Sequence, residues 1–211
     1  MSRSVSFGGV ILAAGESSRM GTDKALLPWP PKAAGQAPSS STFLSAAIQS
    51  LMFSTDFVVV VAGKNESTLA PIAYAAGASL STNPDPSRGQ FSSLQVGLQE
   101  VVNRGRDAAV ITLVDRPPVR PETVQTLCAA FESAARTVWA VVPEFQGRHG
   151  HPYIAGIELI EAFLQAPPTG SARDIEHLHR EHIQYVAVND PYVALNINTP
   201  QDYAALLTKS F

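Results

Sequence analysis

Short apolar runs alternate with stretches of helical periodicity along nearly the whole chain. Gly9–Ala13, Phe57–Ala62, Ala78–Thr82, Ala108–Val114, Val138–Val142, Ile183–Val188 and Val193–Ile197 read as strands. Between them, Thr42–Phe53, Ser67–Ala75, Ser92–Asn103, Pro121–Ala135, Gly156–Gln165, Ala172–His182 and Pro200–Lys209 read as amphipathic helices. Val58–Val61 and Ala109–Val114 are almost continuously apolar, which suits strands covered on both faces. The expected fold is therefore α/β, a three-layer Rossmann-like sandwich with a mostly parallel central sheet. Two stretches break the rhythm. Pro28–Ser41, rich in Pro, Ala, Ser and Gly, reads as a flexible surface excursion, and Phe145–Pro152, with Gly147 and Gly150, reads as a turn beside the later part of the sheet. No internal repeat is visible.

A length of 211 residues suits one domain with a full core, and 1–211 is read as a single domain. With 45% hydrophobic and 16% charged residues and a net charge of −3, nothing suggests nucleic acid as a partner. Cations that meet an anionic substrate must then be concentrated locally. The single cysteine, Cys128, excludes an intrachain disulfide and a Cys-based zinc site. Its spacing with Val124, Leu127 and Phe131 places it on a helix face as a core thiol. Met1-Ser2-Arg3-Ser4 leads straight into a strand without a signal-peptide pattern, and no apolar run is long enough to span a membrane. The expected compartment is the cytoplasm.

Candidate chemistry gathers at strand ends. The first strand runs into Leu12-Ala13-Ala14-Gly15-Glu16-Ser17-Ser18-Arg19-Met20-Gly21, with Lys24 three residues on. In open α/β sheets, ligands bind beyond the carboxyl ends of the strands. Small residues there let backbone N–H groups approach phosphate oxygens, and Arg19 and Lys24 supply cations. The loop matches neither the Walker nor the dinucleotide glycine pattern. A plain strand-to-loop turn would account for the glycines alone, though not for the two cations. Asp115 follows the buried run Ala109–Val114, where a hard oxygen ligand can hold Mg²⁺ against a triphosphate; the alternative is a cap on the Pro117-Pro118 turn. Asn196 and Asn198 have the spacing of one strand face, with Ile197 turned to the core and Asn198 open to a second role as helix cap. Ser92 or Ser93 could cap the helix they open. The histidines in Glu176–His182 read as a solvated helix face in preference to a metal site. No nucleophile elbow or Cys/His pair supports covalent catalysis.

The loop Leu-Ala-Ala-Gly-x-Ser-x-Arg-Met-Gly with its nearby Lys resembles the signature of the nucleotidylyltransferases with the glycosyltransferase-A-type fold, and within them the molybdenum cofactor cytidylyltransferases. The resemblance continues through Asn83-Pro84-Asp85, Gly89, Ser92-Ser93-Leu94 and Gly97-Leu98, then Leu113-Val114-Asp115-Arg116-Pro117, Gly150-His151-Pro152, Asp190-Pro191 and Asn196-Ile197-Asn198-Thr199-Pro200. It implies Asp115, Lys24 and Arg19 as catalytic residues. It implies a nucleotide site of Leu12, Ala13, Ala14, Gly15, Arg19, Lys24, Asn83 and Ser93, His151 toward the acceptor, and Asp115 with Asn198 at Mg²⁺. CTP is the implied nucleotide and molybdopterin or its molybdenum form the implied acceptor, with a molybdoenzyme as a further partner. The chain departs from that family at Arg116, where Gln is commoner, and at Asn196 and Asn198, where Asp is usual. The amides would weaken a second metal contact. Two rival readings remain: transfer to a sugar or alcohol phosphate, and a nucleotide- or cofactor-binding accessory protein without turnover.

Overall fold

A computed structural model describes residues 4–17, 19–32 and 39–208. In chain order its elements are β1 (Phe7–Leu12), β2 (Pro28–Trp29), β3 (Ser41–Thr42), α1 (Phe43–Met52), β4 (Phe57–Ala62), α2 (Glu66–Ala75) and β5 (Ser79–Thr82). There follow α3 (Gln90–Asn103), β6 (Ala108–Leu113), α4 (Pro121–Ser133), β7 (Ala140–Phe145), β8 (Arg148–His149) and β9 (Tyr153–Gly156). The chain closes with α5 (Ile157–Gln165), α6 (Ala172–Leu178), β10 (Ile183–Ala187) and α7 (Pro200–Ala205). The main sheet has the order β10-β7-β9-β6-β1-β4-β5, with β8 paired to β7. On that path β9 alone runs antiparallel to its neighbours β6 and β7. The mostly parallel α/β sheet is as expected.

The apolar runs are apolar on both faces because two cores claim them. Val58 and Val60 join a core with Leu44, Ile48 and Leu51 of α1, Leu69 of α2 and Leu127 of α4. Val59 and Val61 join the opposite one, with Leu94 and Leu98 of α3 and Leu159 and Phe163 of α5. Gly97 lets α3 lie flat on the sheet: a Cβ there would stand 2.4 Å from Val10 Cγ1. Cys128 is buried as expected, and burial pushes its thiol up to about 12. Among the described residues no helix is long and apolar enough to cross a membrane.

Two expectations fail, over Val193–Ile197 and Ala172–His182, and the excursion over 28–41 has paired ends. Val193–Ile197 is no strand: Pro191–Ala194 forms a 3₁₀ turn, capped by Asp190 at the Tyr192 N–H, and the chain then runs on without ladder partners. Ile197 is nonetheless buried, in a small third core with Met20, Leu27, Phe43 and Leu206. Within 28–41, the ends are ordered structure: β2 pairs β3, Trp29 packs edge-on against Phe43 and Tyr192, and residues 33–38 lie outside the described residues. The helix expected over Ala172–His182 stops at Leu178, where a 3₁₀ turn follows. His177 is exposed as expected, whereas His182 is half-buried: it stacks on Trp139 at 4.0 Å and its Nδ1 lies 2.7 Å from the Thr137 carbonyl. Ser18 and Lys209 lie outside the described residues.

Candidate active site

The loop after β1 is pinned from the neighbouring strand. Ala13 N–H donates to the Val61 carbonyl at 2.8 Å. Asn65, just beyond β4, accepts from Gly63 N–H through Oδ1 and donates through Nδ2 to the Ala13 carbonyl at 2.9 Å and to Asp23 Oδ2 at 2.7 Å. Asp23 Oδ1 in turn accepts from Ala25 N–H, capping the single 3₁₀ turn Lys24–Leu26. Ser17, at a left-handed φ of 49°, accepts from Lys24 N–H at 3.2 Å. These contacts fold the loop back on itself, so that Lys24 ends up buried at the sheet's carboxyl edge.

There Lys24 meets two groups from distant parts of the chain. Its Nζ stands 3.6 Å from Asp115 Oδ2 and donates to Asn198 Oδ1 at 3.1 Å. Asp115 follows β6 by two residues, and its carbonyl accepts from Ile197 N–H, which sets Asn198 beside it. Asn198 is not the cap of α7: Thr199 is, in a capping box with Asp202, and the Asn198 amide stays with Lys24. Asn196, by contrast, is exposed, because the segment is not a strand and two-residue spacing does not hold the two amides on one face. Asp115 Oδ1 is enclosed and has no hydrogen-bond partner. An orphaned carboxylate oxygen beside an amide oxygen is a donor set that fits a hard cation. With no group of three His, Cys, Asp or Glu among the described residues, such a cation would keep most of its positions for water and phosphate oxygens, as Mg²⁺ does.

The remaining expected residues fall on either side of this centre. Leu12, Ala14, Gly15 and Ser93 line a small pocket of about 120 Å³ with Gly89 and Gln90. A Cβ on Gly15 would meet nothing and its φ is ordinary, so the fold itself makes no demand for glycine there. Asn83 is buried and its amide is spent on structure: Nδ2 donates to Ser92 Oγ and Ser93 Oγ at 2.8 and 2.9 Å, and Oδ1 accepts from Asp85 N–H. It positions Ser93 at the pocket wall. Arg19 is exposed on the loop.

Next to this pocket opens a cavity of about 420 Å³, sharing Leu12, Gly89 and Gln90 with it. Its polar wall comes from Arg116, His151, Tyr153, Arg173 and Glu176. Because β9 runs antiparallel, it begins where its neighbours end, and His151 and Tyr153 are thereby brought to the carboxyl edge. Gly150 explains the motif around them: a Cβ there would lie 1.7 Å from the Val193 carbonyl oxygen, to which His151 N–H donates. Burial, with Arg116 nearby, pulls the His151 imidazole down to about 3, so the ring is neutral, and its Nδ1 has no partner. Burial lowers the Arg116 guanidinium too, against the opposing pull of Asp115; Nη1 donates to the Leu195 carbonyl and Nε is unpartnered. Glu176 is raised to about 7 by burial, while its hydrogen bond with Tyr153 acts the other way.

Asn65, Asp23, Tyr153 and Glu176 were not singled out by sequence. Asn65 carries the same signal as the glycine loop, a polar residue just past the carboxyl end of a buried strand. Glu176 was hidden among the charges and histidines around it.

Residues 9–184 match the MobA-like NTP transferase domain. The chain belongs to that family. It is 29% identical over 92% of its length, and 88% of the relative's, to a probable molybdenum cofactor guanylyltransferase of Rhodopirellula baltica. It is 24% identical to the molybdenum cofactor cytidylyltransferase of Escherichia coli, over 92% of both chains. Among solved structures it is similar to Rv0371c of Mycobacterium tuberculosis, with a TM-score of 0.78 and 25% identity over 98% of this chain and all of that one. By family the protein is a nucleotidyltransferase.

Proposed function

We propose that the protein transfers CMP from CTP to the phosphate of a molybdopterin-type acceptor, with Mg²⁺ and with release of pyrophosphate. The observation that carries this is the convergence of Lys24, Asn198 and a partly orphaned Asp115 beside the glycine loop. An oxygen of the acceptor phosphate attacks the α-phosphorus in line; the new P–O bond forms as the bond to the bridging β-oxygen breaks. The acceptor oxygen is already anionic, so no general base is required. Positioning and charge neutralisation carry the rate. Lys24 and Arg19 pair with the triphosphate, and Ala14, Gly15 and Ser93 bound the base, with Ala13 pinning the loop from behind. Asp115 and Asn198 would hold the metal, which when bound neutralises charge on the phosphates.

Ala14, on the wall of the small pocket beside Gly15, leaves less room for a purine than a glycine would and so supports a pyrimidine. The name of the Rhodopirellula relative favours GTP instead, and that is the second reading. Pyrophosphate release is measured with CTP and GTP, with molybdopterin and a panel of sugar and alcohol phosphates, with and without EDTA. Release with CTP and molybdopterin, abolished by EDTA, is the expected result. Preference for GTP overturns the cytidine assignment, and no release with any pair leaves an accessory binding protein.

A further inference from the structure

The family's motifs account for the glycine loop, Asp115, Arg116 and His151, but not for Tyr153 and Glu176 on the far wall of the larger cavity. Its floor and sides are apolar: Leu12, Phe91, Leu94, Ile111 and Leu113. Into this apolar surface the chain sets a carboxyl, Glu176, from α6 and a phenol, Tyr153, from β9, near enough for each to influence the other's proton. Tyr153 is buried, and burial above all, then the charge of Glu176, raises its phenol well above the ordinary value. It therefore stays a donor, able to engage one acceptor site of the carboxyl and leave the others free. Two further polar atoms of the same wall, His151 Nδ1 and Arg116 Nε, are enclosed without partners. Buried polar groups are ordinarily hydrogen-bonded, and two unsatisfied ones behind one wall, with polar groups of Glu176 and Arg116 lining the cavity, mark a place suited to a ligand's polar edge.

The chemistry of that edge follows from the wall. A carboxylate in an apolar slot takes two parallel N–H donors side by side. A guanidinium N–H of Arg116, which lines the same cavity, answers a ring carbonyl, and apolar walls suit the faces of a flat ring. A ring N–H beside an exocyclic amine and next to a ring carbonyl is the 2-amino-4-oxo edge, which pterins and guanine share. The small pocket lies on the glycine-loop side, so the cavity is left for the acceptor.

We propose that Glu176, steadied by Tyr153, selects the acceptor's ring system by receiving the ring N–H and exocyclic amine of a pterin's 2-amino-4-oxo edge. This rests on the assignment of the cavity to the acceptor side under the function proposed above. The raised affinity of the Glu176 carboxyl for a proton agrees with a poorly hydrated group short of hydrogen-bond donors, and the two N–H donors of the ligand would favour its ionised form on binding.

The test uses pterin and lumazine, which carries oxygen in place of the 2-amino group, titrated by fluorescence into wild type and Glu176→Gln. Wild type is expected to bind pterin about tenfold or more tightly than lumazine, and the variant to hold the two within about twofold. CTP affinity, measured by calorimetry without acceptor, should be the same in both proteins. With molybdopterin as acceptor, KM should rise about tenfold in Glu176→Gln while kcat stays within about threefold, as befits lost binding and not lost chemistry. Weak or indiscriminate pterin binding by wild type overturns the proposal, as does an unchanged preference in a folded variant. If Glu176→Gln loses affinity for GTP and not for pterin, the residue reads the base of the nucleotide, and the assignment to the acceptor falls. A Glu176-dependent pterin preference in a protein that releases no pyrophosphate would sustain the inference and defeat the transferase reading.

Discussion

Asp115→Asn should leave the fold intact and remove the reaction. At 3.6 Å, the Lys24–Asp115 pair is worth roughly 4–5 kcal/mol of Coulomb attraction at an effective dielectric of 20. The Asp115 side chain is 28% exposed, so solvent screening and the cost of drying both ions reduce the net to about 1 kcal/mol. Against it stands the cost of keeping a carboxylate charge part-dry, which the amide removes, while its NH₂ inherits the enclosed, partnerless position of Oδ1. The amide is nearly isosteric, keeps an oxygen for Lys24 and carries no charge to bury. The two effects offset, and stability should change by no more than about 1 kcal/mol, or about 2–4 °C in Tm for a chain of this size. Turnover should fall by about two decades or more, on the order of 3 kcal/mol of transition-state stabilisation. Thermal melting in EDTA, together with pyrophosphate release across a magnesium titration, reads both quantities from one preparation. A drop in Tm beyond about 10 °C would make Asp115 a structural residue, and turnover within about tenfold of wild type would remove it from the chemistry.

Lys24→Ala should weaken CTP binding by about one to two decades while leaving cytidine nearly unaffected, by calorimetry; equal losses would mean that Lys24 only supports the loop. Asn65→Ala deletes bonds to Gly63, Ala13 and Asp23, and should lower stability by about 2–4 kcal/mol in urea unfolding and weaken CTP binding through a displaced Lys24. Asn198→Asp adds a carboxylate beside Asp115 and should lower the Mg²⁺ concentration for half-maximal activity; an unchanged titration would take residue 198 away from the metal. Glu176 holds its proton in the fold up to about 7, against a reference value of 4.5. Between these values the unfolded chain has lost that proton and the folded one has not, so its contribution to stability declines as pH rises. The decline is at most about 3 kcal/mol, and urea titrations across that range should show it flattened in Glu176→Gln.

The parts of this molecule legible in its sequence are those where one local pattern has one structural meaning. The valine runs of β4 and β6 announce buried parallel strands, and the glycine loop with Lys24 announces a ligand site at their carboxyl ends. The pattern misleads where tertiary packing overrules it. Val193–Ile197 has strand composition, yet Pro191 and the capping Asp190 wind it into a 3₁₀ turn, and Ile197 is buried by Phe43 and Leu206 and not by a sheet. Tyr153–Gly156 is too short, and too close to the turn at Gln146-Gly147, to stand out as a strand. Missing it conceals why His151 and Tyr153 share an edge with Asp115. Glu176 could not be found by pattern at all, because its meaning depends on the cavity that β9 and α6 make together.

The two halves of the site come from two halves of the chain. The pocket beside the glycine loop is lined wholly from residues 12–93, whereas every polar group on the far wall of the larger cavity lies between 116 and 176. Under the assignments proposed here, choice of donor and choice of acceptor are thus written on consecutive stretches of polypeptide, meeting at the short turn between α3 and β6. Recombination at that turn could exchange one preference while preserving the other, so a lineage could acquire a new pairing of nucleotide and cofactor in a single crossover. Chimeras joined at residues 104–107 with a relative of opposite nucleotide preference would take their triphosphate from the first parent and their acceptor from the second.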